Sequence, residues 1–443
     1  MRRPMISARL ARGLVWALAL VPVVFFSIGL GAKDFSSASS ILNTLGRLTG
    51  VLGLALLLLA AALSARVPGF DQPFGGLTKL WHTHHLFGAA ALLMLLAHPL
   101  LLALASATHG HQLPVKVLFP PLSDTATWSG WAALLLMMVF LAPSFSFFGS
   151  PMYERWKRIH ALAGPAIILA LVHTFLFSRT MPVNLDTAIW TLFALLGVGA
   201  VAWRLIFSRR AGRVTHTIVD VQAVANNVVE LTLQPARPER RLNYQAGNFV
   251  YMTPLDKSLA AGHGEEHPYT LSSSPTEPNL RIAIKDLGDA SRAIQSVTPG
   301  TTVKIEGPYG RFFPTSGETS SPELWVAGGI GITPFLARLR HLRALKQAAD
   351  IHLIYAVQDE ARALYADELR ELANAIPDTR LTFHYFYKEG PISADFLTTT
   401  CPDLDQREVF ICGPLPLNKL VQEHLRRIGL PYSRIHTEEF ELL

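Results

Sequence analysis

Cysteine is almost missing: 443 residues contain two, Cys401 and Cys412. Two thiols exclude a disulfide framework and a metal–thiolate cluster. Neither belongs to a C-x-x-C-H run, which excludes covalent haem attachment. Charge is also scarce, with 16% charged residues against 50% hydrophobic ones. The net charge is +6, from 39 Lys+Arg and 33 Asp+Glu. No basic patch interleaved with aromatics is present, which argues against a nucleic-acid partner. No EF-hand loop occurs, so calcium gating is not implied.

The chain is too long for one ordinary domain, and its composition is split. Long apolar blocks run to about residue 207, and beyond that the pattern is that of a soluble α/β enzyme. Six apolar segments reach the roughly 20 residues needed to cross a bilayer. They lie near residues 13–32, 41–63, 82–105, 126–143, 159–178 and 186–207. The first has a signal peptide as its alternative, since Arg2, Arg3, Arg9 and Arg12 precede it, but Leu30 spoils the only small-x-small cleavage site, at Ala32. Arg2, Arg3, Arg9, Arg12, Arg66, Lys79, Arg155, Lys157 and Arg158 fall on one side of these spans. Lys33, Lys116 and Arg179 fall on the other. The excess of positive charge places the N-terminus in the cytosol. Six crossings then return Ser208-Arg209-Arg210, and everything after it, to the cytosol.

Histidine stands out against this apolar background. The third span, "WHTHHLFGAAALLMLLAHPLL", carries His84 near its inner end and His98 deep within it. They are 14 residues apart, about 21 Å of helix rise and four whole turns at 3.5 residues per turn. The fifth span, "RIHALAGPAIILALVHTFLF", carries His160 and His173 at corresponding depths. Its spacing of 13 misses a shared face by about 100°, and Pro165 between them is a candidate kink. Imidazoles facing each other at two depths suit two stacked haems with both axial positions filled. His82 and His85 read as interfacial polar flanks, and His109 and His111 as solvated loop residues. An ionisable residue deep in a span is a functional hypothesis by default.

Residues 213–313 contain short β-patterned runs separated by turn residues, the pattern of a small antiparallel barrel. Within it lies "HPYTLSSSP", where the ring of Tyr269 suits a flavin face beside the hydroxyls of Thr270 and Ser272. "IKDLGDAS" adds Lys285, Gly288, Asp289 and Ser291, with turn N–H groups suited to a pyrophosphate. "SGETSSPE" reads as a linker, and after it strands alternate with helical patterns, which predicts a parallel sheet with helices on both faces. The first of these strands runs into "AGGIGITP". Gly328, Gly329 and Gly331 permit close backbone approach, Thr333 can cap a helix, and Pro334 fits its first turn. Glycines ahead of a helix N-terminus suit phosphate. "ICGP" puts Cys412, Gly413 and Pro414 at the C-terminal edge of the sheet, where open α/β folds bind ligands. Cys412 as a buried structural thiol and Phe440 as a core residue are the plain alternatives.

Together these motifs resemble the ferric reductase and NADPH oxidase superfamily, particularly its bacterial single-chain members. The resemblance covers nearly the whole chain from about residue 41. In the membrane half it rests on "LGRLTG", on His84-x-x-x-Gly88 with His98-Pro99, and on "YERWKRIH" running into His173. In the soluble half the likeness is to the ferredoxin reductase type. It implies that His267, Pro268, Tyr269 and Thr270 contact the flavin of FAD. It implies too that "KDLGDAS" and "GPYG" (Gly307 to Gly310) complete that site, and that "GGIGITP" binds NAD(P)H with "CGP" beside the nicotinamide. Phe440 resembles a C-terminal aromatic that shields the flavin. Asn248 stands where Gln is more usual, and Ser291 where Thr is common.

The implied architecture has three parts. Residues 1–207 form a six-helix haem-binding transmembrane bundle. Residues 208–315 form an FAD-binding barrel, and residues 316–443 an NAD(P)-binding α/β domain. The implied activity is electron transfer from cytosolic NAD(P)H through FAD and two b-type haems, ligated by His84, His98, His160 and His173, to an extracytoplasmic acceptor. Cys412, Tyr269 and Phe440 stand nearest the hydride chemistry. A ferric chelate is favoured as acceptor, with dioxygen and quinone as alternatives. Arg47, Lys116 and Arg179 are candidates to neutralise haem propionates or attract an anionic acceptor. A histidine-lined metal or haem transporter with a vestigial reductase domain, and a diaphorase merely anchored by its spans, are readings of other classes. Gln358 and Arg362 leave NADH against NADPH open, and oligomeric state is open.

Overall fold

A backbone inside hydrocarbon must satisfy its N–H and C=O groups internally, and the apolar half of the chain does so as helices. Among the described residues six are long and apolar enough to cross a membrane: Ala8–Ile28, Ala38–Leu63, Leu77–Ala107, Thr125–Ser144, Arg155–Phe177 and Asn184–Ile206. The structure, a computed structural model, describes residues 8–67, 69–108, 113–145, 153–177, 183–208, 213–313 and 321–438. It divides into two units, Met1–Ala211 and Gly212–Leu443.

The helices of the first unit are α1 (Ala8–Ile28), α2 (Ala38–Leu63), α3 (Leu77–Ala107), α4 (Leu113–Leu118), α5 (Thr125–Leu141), α6 (Tyr153–His160), α7 (Ala163–Phe177) and α8 (Val183–Ala202). α1 starts at Ala8 rather than near 13, taking Arg9 and Arg12 into its first turns. Long arginines can lie along apolar surface with their charge at its edge. α3 starts at Leu77 rather than 82, directly after Gly75 and Gly76, whose φ values of 88° and 107° end the preceding turn. α2 opens on Ser37, whose hydroxyl accepts the Ser40 N–H. α5 opens on Asp124, which accepts the Thr127 N–H.

Small residues set how closely these helices approach. A Cβ placed on Gly46 would lie 2.9 Å from Leu102, and one on Gly53 would lie 2.7 Å from Leu95. The stripe Gly46, Gly50, Gly53 on α2 therefore seats α3. The fifth span is interrupted: α6 ends at His160 and α7 begins at Ala163. Pro165 has no N–H to give the Ala161 carbonyl, and the Gly164 N–H bonds that carbonyl instead at 3.2 Å.

In the second unit, β1 (Arg213–Ala225), β2 (Val228–Pro235), β3 (Phe249–Pro254), β4 (His267–Thr270), β5 (Leu280–Lys285) and β6 (Thr302–Tyr309) pair antiparallel in the order β4-β3-β6-β1-β2-β5. The sheet curls around Ile218, Leu231, Val250, Met252, Ile282 and Ile305. Its edges, β4 and β5, meet only through the bridge Leu271–Ile282, so the expected barrel is a curled half-barrel without a full closing ladder. A short helix α9 (Asp289–Ala293) follows β5.

The remaining strands are β7 (Glu323–Gly328), β8 (Ile351–Val357), β9 (Thr379–Tyr385), β10 (Glu408–Cys412) and β11 (Ile435–Glu438), all parallel, in the order β11-β10-β7-β8-β9. Helices α10 (Thr333–Leu345) and α11 (Ala366–Ala375) connect them. α10 buries Phe335, Leu336, Leu339 and Leu342, a one-sided helical repeat, against the sheet. Strand order reverses between β7 and β10, where open α/β sheets leave a crevice beyond their carboxyl ends.

Candidate functional site

The membrane unit brings the four histidines together as two pairs. The His84 and His160 ring centres are 6.2 Å apart, inclined at 66°. The His98 and His173 ring centres are also 6.2 Å apart, at 81°. Two metal–imidazole bonds of about 2.0 Å, plus about 1.1 Å from each nitrogen to its ring centre, separate opposite imidazoles on one metal by about 6.2 Å. Both pairs have that separation.

The ring nitrogens are set for the same task. His84 Nδ1 donates to the Ala60 carbonyl at 2.8 Å, His98 Nδ1 to Gly46 at 2.7 Å, and His173 Nδ1 to Ala126 at 2.8 Å. A carbonyl only accepts, so Nδ1 carries the proton and Nε2 keeps a lone pair, the usual state of a metal-binding imidazole. His160 Nδ1 lies toward the Phe140 carbonyl without closing a hydrogen bond. Gly46 and Ala60 are 14 residues apart, as are Ala126 and Phe140. α2 and α5 thus present carbonyls at matching intervals. The histidine spacing is 14 on α3 and 13 on the fifth span, and the fifth span is broken at Ala161–Leu162, between its two histidines.

Glycines shape both levels. A Cβ on Gly50 would fall 2.7 Å from His98 Nδ1, and one on Gly130 would fall 2.6 Å from His173 Nδ1. The His98 and His173 imidazoles therefore lie against bare backbone. Gly88, one turn after His84, would meet no atom within 4 Å, and Gly164, one turn after His160, only Val201 at 3.9 Å. Gly88 and Gly164 thus leave open space one turn from His84 and His160. The His98–His173 pair borders a cavity of about 560 Å³, also lined by Arg47, Lys116, Asp124, Trp131 and Asp186. Arg47 stacks over Phe26 at 5.0 Å. Among the described residues no three His, Cys, Asp or Glu side chains are grouped to hold a bare ion. Two imidazoles suffice for an iron whose other four bonds are porphyrin nitrogens. The donor set and the space fit haem. His82 and His85 are exposed; Arg179, His109, His111, Arg209 and Arg210 lie outside the described residues.

In the second unit, Tyr269 lies on β4 opposite Val250, half-buried, with burial pushing its phenol pKa up. His267 and Pro268 precede it on the same strand, and His267 Nε2 meets Glu265 at 3.3 Å. Thr270 ends the strand, buried. Ser272 is fully buried and donates to Glu230 at 2.7 Å, so it faces the protein interior. Lys285 ends β5, and Gly288 and Asp289 are exposed at the start of α9. Ser291 accepts the Leu287 N–H and donates to Gly288, which holds that turn without the usual Thr. Gly307 and Gly310 flank the end of β6. Asn248 accepts the Gln245 N–H and donates to the Gly310 carbonyl at 2.8 Å, so the shorter amide braces this loop.

The glycine-rich turn after β7 and the "CGP" turn after β10 pack on each other at the reversal point. A Cβ on Gly331 would fall 2.2 Å from the Cys412 carbonyl, and one on Gly328 would fall 2.4 Å from Leu417 and 2.9 Å from Pro414. Gly329, at φ 54°, meets nothing within 4 Å and is the open glycine of the three. Thr333 does not cap α10. Its hydroxyl donates to the Ile330 carbonyl, a turn of 3-10 helix fills Gly329–Ile332, and Ile332 takes the cap position. Pro334 is buried in the first turn, Gly413 is buried beside Gly328, and Pro414 is exposed. Cys412 is fully buried, and burial, then the nearby Glu438, push its thiol pKa well up. It stays a neutral thiol. Glu438 lies opposite Cys412 in the β10–β11 register and within reach of the Gly310 turn; its place is not visible in the sequence because it comes from strand pairing. Arg362 pairs with Asp359, and the Tyr387 N–H donates to the Gln358 carbonyl. Phe440 lies outside the described residues.

Three family models match successive stretches of the chain: a ferric reductase like transmembrane component at residues 49–171, an FAD-binding domain at 213–312, and an oxidoreductase NAD-binding domain at 325–423. Among curated relatives, the ferredoxin reductase component of 3-ketosteroid-9-alpha-monooxygenase from Rhodococcus rhodochrous is 33% identical over 208 residues, covering 45% of this chain and 57% of that protein. Its counterpart from Mycobacterium tuberculosis is 29% identical over 215 residues, covering 47% and 58%. The chain thus spans little more than half the length of these relatives. A solved flavohemoglobin from Malassezia yamatoensis, with bound FAD and heme, aligns with 93% of this chain and 99% of its own at 20% identity and a TM-score of 0.50, a likeness of fold alone. The chain carries, in order, a ferric reductase-like transmembrane component, an FAD-binding domain and an oxidoreductase NAD-binding domain, the architecture of the ferric reductase and NADPH oxidase superfamily.

Proposed function

We propose that the chain moves electrons across the membrane, from cytosolic NAD(P)H through FAD and two b-type haems to an acceptor on the far side. The observation that carries this reading is the pair of matched separations, 6.2 Å between His84 and His160 and 6.2 Å between His98 and His173. Bound in these sites, FAD divides a two-electron hydride into single electrons and each haem relays one electron.

The chain's own residues bind, orient and insulate. His84 and His160 would hold the inner haem, and His98 and His173 the outer one. The Nδ1 bonds of His84, His98 and His173 to helix carbonyls leave their Nε2 atoms free to bind iron. Two imidazoles per iron leave no site for a substrate, so the acceptor would be reduced at the porphyrin edge. Arg47 and Lys116 line the outer cavity and would offset propionate charge or draw in an anionic acceptor. Asp124 and Asp186 share the cavity with these two cations; a ferric chelate is the favoured acceptor, with dioxygen the second choice.

On the soluble side, Tyr269 and Thr270 would lie along the flavin, and the Lys285–Ser291 turn along its phosphates. Gly329 and the N-terminus of α10 would take the nucleotide pyrophosphate. Cys412 and Phe440 would stand nearest the hydride chemistry, with the neutral Cys412 thiol packed beside the nicotinamide. The Lys and Arg distribution supports a cytosolic N-terminus and a cytosolic second unit. An outward electron then moves with the membrane potential, by about 2.3 kcal/mol per 100 mV.

The test is the full chain in proteoliposomes. NADH or NADPH is given on one face and membrane-impermeant ferric citrate on the other. Flavin reduction followed by haem reduction and ferrous iron on the opposite face is expected. Flavin reduction with no electron reaching the far face contradicts the proposal.

A further inference from the structure

The second unit contains a buried polar knot that the proposed chemistry does not use. Glu230 on β2 is 4% exposed and Arg340 on α10 is 7% exposed. One oxygen of Glu230 accepts from the Ser272 hydroxyl at 2.7 Å, the Tyr365 hydroxyl at 3.0 Å and Arg340 at 3.4 Å. Arg340 also donates to the Ser272 carbonyl at 2.8 Å and grips Glu368 on α11 with both arms, at 2.7 and 2.8 Å. Its neighbour His341 reaches the Ser274 hydroxyl at 3.2 Å.

These bonds join two things by sequence-distant partners. Ser272 and Ser274 belong to the stretch that leaves β4, two and four residues beyond Thr270. Arg340 and His341 sit two turns into α10, which opens directly from the Gly329–Ile332 turn. A guanidinium has five donors in a rigid fork, and this one spends them on a backbone carbonyl and on two carboxylates. Glu230 also faces Arg281 through its second oxygen at 3.7 Å, so what Arg340 alone supplies is the link from Glu230 and the Ser272 carbonyl to Glu368. The knot thus ties the β4 exit to α10. Tyr365 is held in it at φ 56°, in the left-handed region.

We propose that Arg340 is a positioning residue for hydride transfer: through Ser272, Glu230 and Glu368 it fixes the nucleotide-binding helix against the flavin-bearing strand. The inference rests on the reading of this unit as a flavin- and nicotinamide-dependent reductase. The step it serves moves one hydride, a proton with two electrons, from the reduced nicotinamide, which is oxidised, to the flavin, which is reduced. No other reactant is needed. Arg340 touches neither group; it sets the distance between their sites. A misplacement of about 1 Å from a remote change can cost about 100-fold in rate.

The test uses the full chain in detergent, as wild type, Arg340→Lys, and the charge-balanced double variant Glu230→Gln with Arg340→Met, chosen so that no carboxylate or guanidinium of that pair is left stranded. Anaerobic stopped-flow follows flavin reduction by NADH or NADPH. Hydrogen exchange on flavin-free protein follows the segments 271–282 and 333–345. The double variant is expected to keep its flavin, reduce it on the order of 10- to 100-fold more slowly, and exchange faster in both segments. Arg340→Lys, which keeps the charge without the fork, is expected to fall between. Unchanged hydride transfer in the double variant overturns the inference, as does a loss that merely follows flavin content. So does faster exchange confined to 333–345. A wild type that no nucleotide reduces overturns the reductase reading itself, which separates the two failures.

Discussion

His98 on α3 and His173 on α7 face each other with ring centres 6.2 Å apart, 81° from coplanar, each anchored through Nδ1 to a carbonyl of a neighbouring helix. Four different helices thus fix one pair of imidazoles. Loss of either ring breaks this pair and leaves the His84–His160 pair in place. His173→Leu is expected to halve haem content per chain, measured as the pyridine haemochrome, with normal flavin reduction by nucleotide and no reduction of an acceptor beyond the membrane.

The glycines separate two effects. A Cβ on Gly50 collides with His98, and overpacking of this kind costs about 1–3 kcal/mol. Gly50→Ala is expected to shift the outer haem's spectrum or potential and to lower thermal stability. A Cβ on Gly88 meets no protein atom within 4 Å. Gly88→Val is expected to leave the helical far-UV signal and expression unchanged while lowering inner-haem occupancy. Full haem loading in Gly88→Val contradicts the assignment of that space to a macrocycle.

The Ala161–Leu162 break gives a third expectation. Inserting one alanine between these residues restores a spacing of 14 in sequence and turns one flanking helix by about 100° relative to the other. One haem per chain is expected in place of two, by absorption. Two intact haems in the insertion variant would show that the break does not set the register.

His352 provides a pH dependence outside the membrane. Its pKa is held down to about 4 by burial first, then by Arg380 and Arg407. The folded state refuses a proton that the unfolded chain takes near pH 6.5. Its contribution is therefore complete above about pH 6.5 and is lost as pH falls toward about 4, at up to about 1.4 kcal/mol per pH unit. Denaturant unfolding of the solubilised chain between pH 4.5 and 7 checks this, with His352→Gln expected to flatten the slope.

What the sequence made legible was whatever a short window carries. Imidazoles inside apolar runs marked four helix positions, and the structure brings those positions into two pairs. Strand, glycine and helix signals marked the β7–α10 turn. The 13-residue spacing does not resolve from sequence, because it spans a helix break at which the Gly164 N–H takes the Ala161 carbonyl. Thr333 had the right chemistry for a cap, but a turn of 3-10 helix ahead of it shifted the cap to Ile332. The Glu230–Arg340 contact joins residues 110 positions apart, and Glu438 meets Cys412 only through strand pairing. Neither leaves a local signature.

The most direct test of the two-haem conduit is the haem-to-chain ratio of the purified wild type, taken with its oxidised and reduced absorption spectra. The account predicts two low-spin b-type haems per chain, both reduced by nicotinamide nucleotide through the flavin. One haem, none, or a high-spin spectrum with an open iron position would contradict it.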